Sequence, residues 1–212
     1  MADLDRLYQA VLNGDAKAAV AVTRQAINEG MDPVALIQDT MVPAMGEVGK
    51  RYEADEYFVP ELLLSARAMK RSLELLRPLL AGRDAASAGR VAIGTVKGDL
   101  HDIGKNLVAS LLEGGGFEVI DLGTDVSPQK FVDAIQQMGV QIVALSALLT
   151  VTMASMRKTI EALTAAGVRN RVKVMVGGAP VTQQYADEIG ADGYSENAAS
   201  AVTLAHRLRG AV

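Results

Sequence analysis

Apolar residues recur three and four positions apart from Asp3 to about Leu80, the spacing that lines one face of a helix. Asn13-Gly14-Asp15 ends one helix and caps the next, and Gly30 ends the second. Asp32 before Pro33 reads as an N-cap with proline at the first helical position. The third helix runs towards Tyr52. A fourth starts near Pro60 and presents Leu62, Leu63, Ala66, Met69, Leu73 and Leu76 on one broad face before Pro78. Residues 1–80 are thus expected to form a four-helix bundle. The next stretch, 81–89, reads AGRDAASAG, small and polar without apolar period, and is expected to be a linker. From 90 to 212 short β-rich runs alternate with helical stretches: VAIGTV from Val91, FEVIDLG from Phe117, QIVALSA from Gln141, VKVMVGG from Val172 and ADGYS from Ala191. Near-continuous apolar strands between amphipathic crossovers predict a five-stranded parallel sheet covered on both faces, a doubly wound α/β domain. Ligands of such sheets bind beyond the carboxyl ends of the strands, where strand order reverses.

Composition narrows the partners. Half of the 212 residues are hydrophobic and 22% are charged, a balance that buries a core. The net charge of -4 comes from interspersed acids and bases, and aromatics make up 4%, so neither a basic stripe nor a stacking platform is offered to a nucleic acid. There is no cysteine; a metal must be held by histidine, by carboxylates or through a cofactor. Two histidines, His101 and His206, supply imidazole, and His206 near the end of the last helix fits a surface cation at a helix C-terminus. Met1 to Leu7 is acidic rather than a basic leader, and no long apolar run occurs, which predicts a cytoplasmic protein without a membrane partner.

The candidate chemistry lies where the first strand enters its helix, GTVKGDLHDIGKNLV from Gly94 to Val108. Asp99, His101 and Gly104 make a D-x-H-x-x-G pattern. In an extended loop residues two apart share a side, so Asp99 and His101 are neighbours while Leu100 turns inward. A ligating imidazole donates its second N–H to a carboxylate, which fixes the tautomer and raises basicity. Gly104, without a Cβ, lets a bulky ligand approach the helix start. The same residues also fit a helix N-terminus capped by Asp99 or Asp102, with His101 as a loop residue.

GDLHDIGKNLV resembles the cobalamin-binding motif of methionine synthase and of the corrinoid proteins of methanol and methylamine methyltransferase systems. Further matches follow in order. Ser146 to Thr152 resembles the family's S-x-L segment, Gly177-Gly178-Ala179 its G-G segment, and Tyr194 to Ala198 its Y-x-x-N-A stretch. Upstream, Phe58-Val59-Pro60 through Lys70 is similar to the helical cap that precedes the cobalamin domain. The resemblance covers nearly the whole chain. It implies a helical cap over 1–80 and a Rossmann-like, flavodoxin-type cobalamin-binding domain over 90–212. It makes His101 the lower axial ligand of cobalt, held by Asp99, with Thr152 where methionine synthase continues the relay with serine. Gly98, Leu100, Asp102, Ile103 and Gly104 flank His101 in the cofactor loop. Ser146, Leu148, Thr150, Gly177 and Gly178 line a slot for the nucleotide tail, with Tyr194 and Asn197 beyond, and Phe58 faces the cofactor from the cap. On the residues alone, Ser146 and Thr150 equally fit helix caps and Gly177-Gly178 a turn. Asp121 to Gly123 and Asp125 fit either the corrin edge or a strand-to-helix turn.

The function so implied is methyl transfer: a corrinoid protein that carries a methyl group on cobalt and depends on other chains for chemistry. The partners are a substrate-specific methyltransferase, an acceptor methyltransferase acting on a thiol or folate, and a reductive activase. Two rivals use the same motif. Cobalamin-dependent sensors carry a W-x-x-x-E-H pattern in the cap, whereas this sequence has no tryptophan. The small subunit of a radical mutase lacks the preceding four helices.

Overall fold

The computed structural model describes residues 2–80 and 88–210. The expected linker therefore lies, through residue 87, outside the described residues. Backbone contacts divide the chain into two units, one of Met1–Ala88 and Ser110–Phe117, the other of Gly89–Ala109 and Glu118–Val212.

In the first unit α1 (Leu4–Leu12) and α2 (Ala16–Asn28) are joined by a tight turn. A third helix follows in three parts: α3 (Pro33–Ala35), a π-helical stretch Leu36–Met41, and α4 (Val42–Glu53). The fourth is α5 (Val59–Leu76). Aspartates start the first three: Asp3 accepts from the Arg6 N–H, Asp15 from Ala18 and Asp32 from Ala35, each satisfying a donor that the helix leaves unpaired. The π-helical stretch has a local cause. Pro43 has no N–H to return to the carbonyl four residues back, and the Val42 N–H reaches Ile37 O, one residue further than in an α-helix.

The buried face of α5 differs from the expected one in one residue. Leu62, Ala66, Met69, Leu73 and Leu76 are buried, but Leu63 is 41% exposed. At 100° per residue Leu63 falls off the edge of a stripe that Ser65, Ala68 and Ser72 complete. The Ser65 hydroxyl donates to Leu12 O at 2.9 Å, satisfying an end carbonyl of α1 in the interior.

The second unit alternates β1 (Arg90–Thr95), α6 (Ile103–Gly114, counted in the first unit from Ser110 on), β2 (Glu118–Asp121), α7 (Pro128–Met138), β3 (Ile142–Ser146), α8 (Thr150–Ala165), β4 (Lys173–Gly177), α9 (Gln183–Ile189), β5 (Gly193–Ser195) and α10 (Ala198–Arg209). Among the described residues the strands form one parallel sheet in the order β2-β1-β3-β4-β5. This is the doubly wound, flavodoxin-type α/β architecture, built from strands such as Ile142–Leu145 and Val174–Val176 that are buried throughout. The chain winds outward from β1 to β2, then returns to β3 on the other side, so strand order reverses between β1 and β3. Register aligns Thr95, Ser146, Gly177 and Ser195 in one row across four strands at their carboxyl ends.

Candidate functional site

The loop after β1 turns at once. Val96 N bonds across to Ser146 O, Asp99 N returns to Val96 O, and Gly98 adopts a φ of +89°. The turn drives Asp99 into the protein, where it is 2% exposed. Its Oδ1 accepts from the His101 N–H at 3.1 Å. Its Oδ2 accepts from Leu148 N at 2.8 Å, Leu149 N at 3.4 Å and the Thr152 hydroxyl at 2.7 Å. The N-cap of α8 is Leu149, which has no side-chain acceptor. Asp99 supplies one from the neighbouring strand's loop, and its charge meets the positive end of the α8 dipole. Burial works against an ionised Asp99, but the Leu148, Thr152, His101 and Leu149 donors outweigh it and hold its carboxyl below the usual range.

A pH dependence follows from that direction. A carboxylate whose pKa is lowered by folding contributes stability that is complete above its unfolded value, about 3.9, and is lost as pH falls through the native value. Asp99→Asn is expected to cost about 2 kcal/mol at neutral pH, the order of a lost charged hydrogen bond. That difference should shrink in acid, where wild-type Asp99 is itself neutral. Urea unfolding of both proteins across this range measures it, and a difference independent of pH would contradict the ionised Asp99.

His101 is placed by its backbone. Its N–H goes to Asp99 and its carbonyl accepts from the buried Thr95 hydroxyl at 2.7 Å. The imidazole is held loosely by comparison: Nε2 accepts from the Gly104 N–H at 3.3 Å, in the first turn of α6, and Nδ1 is buried without a hydrogen-bond partner. Two details differ from the sequence reading. Asp99 engages the backbone of His101 two residues on, an Asx-type turn rather than an extended segment. The loop therefore does not alternate, and Leu100, expected to point inward, is 76% exposed. His101, rather than Asp99 or Asp102, supplies the side-chain acceptor at the start of α6. A Cβ on Gly104 would stand 2.9 Å from His101 Nε2, so the glycine is what admits the imidazole.

The other candidates divide. Leu100, Asp102 and Leu148 are exposed on loops and Ile103 and Thr150 at the starts of α6 and α8, and Ser146, Gly177 and Gly178 are half-buried at the strand ends. Gly98 lies on the exposed outer side of the β1 turn. Tyr194 is half-buried on β5, where burial, and next the charge of Glu196, raises its hydroxyl pKa. The Asn197 carboxamide accepts from Ser200 N at 2.8 Å while Ser200 Oγ accepts from Asn197 N, a capping box that occupies the Asn197 oxygen. Phe58 belongs to the first unit, just before α5, and is 61% exposed.

Two residues of the site, Thr95 and Lys105, were not singled out in the sequence. Thr95 fixes the His101 carbonyl. Lys105, 2% exposed, places Nζ 2.6 Å from both Asp121 oxygens and 2.7 Å from Asn106 Oδ1. Burial opposes the Asp121 charge, but Lys105 and the Gly123 N–H more than compensate and lower its pKa. The Asp121 to Gly123 segment is thus a turn tied to α6. The signal available was Lys105 itself, a cation one residue after Gly104 in an otherwise apolar helix start.

The residues fit a metal carried in a macrocycle. Among the described residues no three His, Asp or Glu side chains converge to hold a bare ion. One imidazole is available: its side chain is held only by the long bond from the Gly104 N–H, which the ring gives up by turning its acceptor nitrogen towards a ligand. Around it Leu100, Ile103, Leu149 and Val151 are exposed by 76%, 82%, 50% and 80%, an apolar surface suited to a large flat ring.

Comparison with known proteins agrees. A B12 binding domain model matches residues 89–203, and a second B12 binding domain model matches residues 3–77. The chain is 41% identical to a corrinoid protein of Desulfitobacterium hafniense (strain Y51) across 99% of both chains. It is 44% identical to trimethylamine corrinoid protein 1 of Methanosarcina acetivorans, covering 92% of this chain and 91% of that one. Among solved structures, the methanol:cobalamin methyltransferase complex of Methanosarcina barkeri matches with a TM-score of 0.82 at 30% identity, covering 99% of this chain and 80% of that one. Among the described residues no helix is long and apolar enough to cross a membrane. With a helical unit, a flavodoxin-type sheet and a braced histidine at its switch point, the chain belongs to the family of B12-binding corrinoid proteins.

Proposed function

We propose that this protein is the methyl carrier of a corrinoid-dependent methyltransferase system, receiving a methyl group from a substrate:corrinoid methyltransferase and yielding it to an acceptor methyltransferase that acts on a thiol or folate. When bound, the corrinoid supplies a cobalt that accepts and releases the methyl group. The observation that carries the reading is His101 at the switch point of the sheet, its backbone fixed by Asp99 and Thr95 and its imidazole held by one long bond. His101 would hold the cobalt through an imidazole nitrogen. Asp99 and Thr152 anchor its loop, Asp99 remaining ionised against α8, and the exposed leucines and Ile103 exclude water from the macrocycle. Ser146, Leu148, Thr150, Gly177, Gly178 and Tyr194 line the path of the nucleotide tail along the strand ends.

The methyl donor and acceptor enzymes act in trans, because the residues gathered here serve to hold and orient a cofactor. Relatives named for trimethylamine, and a structural relative in a methanol methyltransferase complex, direct the choice of donor enzymes. A reductive activase is the third partner, restoring cofactor lost to oxidation. The test uses the full chain loaded with hydroxocobalamin and reduced, then mixed with a methylamine or methanol methyltransferase and isotopically labelled donor. Label is expected on this protein at about one per chain and, after addition of an acceptor methyltransferase, on the thiol or folate. Loaded protein that takes no label from any of these enzymes, yet responds to light or supports a radical rearrangement, would replace the carrier reading with a sensor or a mutase subunit.

A further inference from the structure

Asp125, in the turn between β2 and α7, has a φ of +52°, a left-handed conformation that residues other than glycine adopt at a cost. The bonds that hold it there lead to the loop after β1. Its N–H donates to Asp99 O at 2.9 Å. Its Oδ1 accepts from Gly98 N at 2.8 Å and its Oδ2 pairs with Lys97 Nζ at 2.8 Å. From the other side, Ser155 of α8 donates to Lys97 O at 2.8 Å and Thr152 to Asp99 Oδ2. The Lys97 and Asp125 side chains are 57% and 41% exposed, so their ion pair adds little stability. The backbone bonds carry the meaning: they clamp the residues on both sides of the Gly98–Asp99 peptide, two residues from the imidazole.

We propose that Asp125, with Lys97 as its counter-charge, is a positioning residue for the corrinoid, gripping the Gly98–Asp99 peptide so that Asp99 presents His101 in one orientation. The proposal rests on His101 as axial ligand and adds a residue outside the D-x-H-x-x-G pattern. Asp125 acts through Asp99 and not by touching the ring. A strained residue that serves a neighbouring site is the relation expected when local strain is retained for function.

Two variants separate the bonds. Asp125→Gly keeps the positive φ without strain and deletes both carboxylate bonds. Asp125→Asn keeps an acceptor for Gly98 and loses the charge opposite Lys97. Amide hydrogen exchange of residues 98–104 is measured on the protein without corrinoid. Electron paramagnetic resonance is then recorded on protein loaded with hydroxocobalamin, reduced to Co(II), with nitrogen-15 histidine. In Asp125→Gly, exchange at Gly98 and His101 is expected to quicken about tenfold, and the ratio of histidine-coordinated to uncoordinated cofactor to fall about five- to tenfold, the size of one lost hydrogen bond. Asp125→Asn should restore most of both. Wild-type exchange and coupling in Asp125→Gly would overturn the inference while leaving His101 as ligand, and so would an asparagine variant no better than glycine. A wild-type protein without label-dependent coupling would overturn the axial-ligand reading, and this inference with it.

Discussion

Replacing Gly178 by alanine is expected to destabilise the protein by about 4 kcal/mol or more, lowering Tm by about 10 °C, because the position combines two independent obstacles. Its φ of +129° is open to glycine and hostile to any side chain. A Cβ built there would also overlap the Ala147 carbonyl oxygen and stand 2.9 Å from the Ala147 carbonyl carbon, backbone atoms that cannot swing away. Those atoms belong to the loop after β3, whose next two residues donate to Asp99. The damage therefore reaches the histidine loop even in molecules that stay folded. Gly46→Ala is the control: this glycine sits inside α4, a Cβ there meets nothing within 4 Å, and the change should be neutral or stabilising by about 0.5–1 kcal/mol. Thermal unfolding of the two variants gives the comparison. A Gly178→Ala protein as stable as wild type would mean that this backbone is softer than its contacts indicate.

The second large effect concerns His101, and stability and function should part company there. His101→Ala in the protein without corrinoid is expected to shift stability by less than about 1 kcal/mol, since it removes one long hydrogen bond together with an unsatisfied buried nitrogen. In the loaded protein the same change deletes the axial nitrogen. Corrinoid affinity should fall at least about tenfold, equal to ~1.4 kcal/mol. The nitrogen-15 histidine coupling in the Co(II) form should vanish, leaving a cofactor ligated by its own base or by water. Titration of hydroxocobalamin, followed by absorbance, reads the affinity, and electron paramagnetic resonance reads the ligand. Wild-type affinity and spectrum in His101→Ala would dismiss the axial role and leave His101 as the cap of α6.

The comparison with Asp99 shows why these residues behave differently. Asp99 is tied to four donors on two elements, so its loss costs the folded state. His101 is poised on a single long side-chain contact, so its loss costs the loaded state. The proposed function needs both kinds of residue: a rigid anchor and a side chain free to turn towards a cofactor.

The four helices, the five strands and the segment that holds His101 were legible in the sequence because each depends on neighbours in the chain. Caps at Asp15 and Asp32 satisfy donors three residues away, and runs such as Ile142 to Leu145 declare burial by composition. The capping box of Asn197 and Ser200 is equally local, and it engages the side-chain oxygen of a residue that the resemblance assigns to the cofactor. What the tertiary structure decided are relations between residues far apart in sequence or off the regular period. The Asp99 contact to Thr152 of α8, 53 residues on, was named by the resemblance alone, and the contact itself follows from β1 and β3 lying side by side. Asp125 and Lys97 meet 28 residues apart because β2 flanks β1 on the other side. Even within the motif, spacing assumed an extended loop, whereas the Asp99 carboxylate turned the chain on itself, exposing Leu100 and taking the His101 backbone in place of its ring. The distinction is physical. Periodicity and capping express interactions within a turn or two of chain, while the orientation of a ligand is set by hydrogen bonds that exist only after the sheet has chosen its strand order.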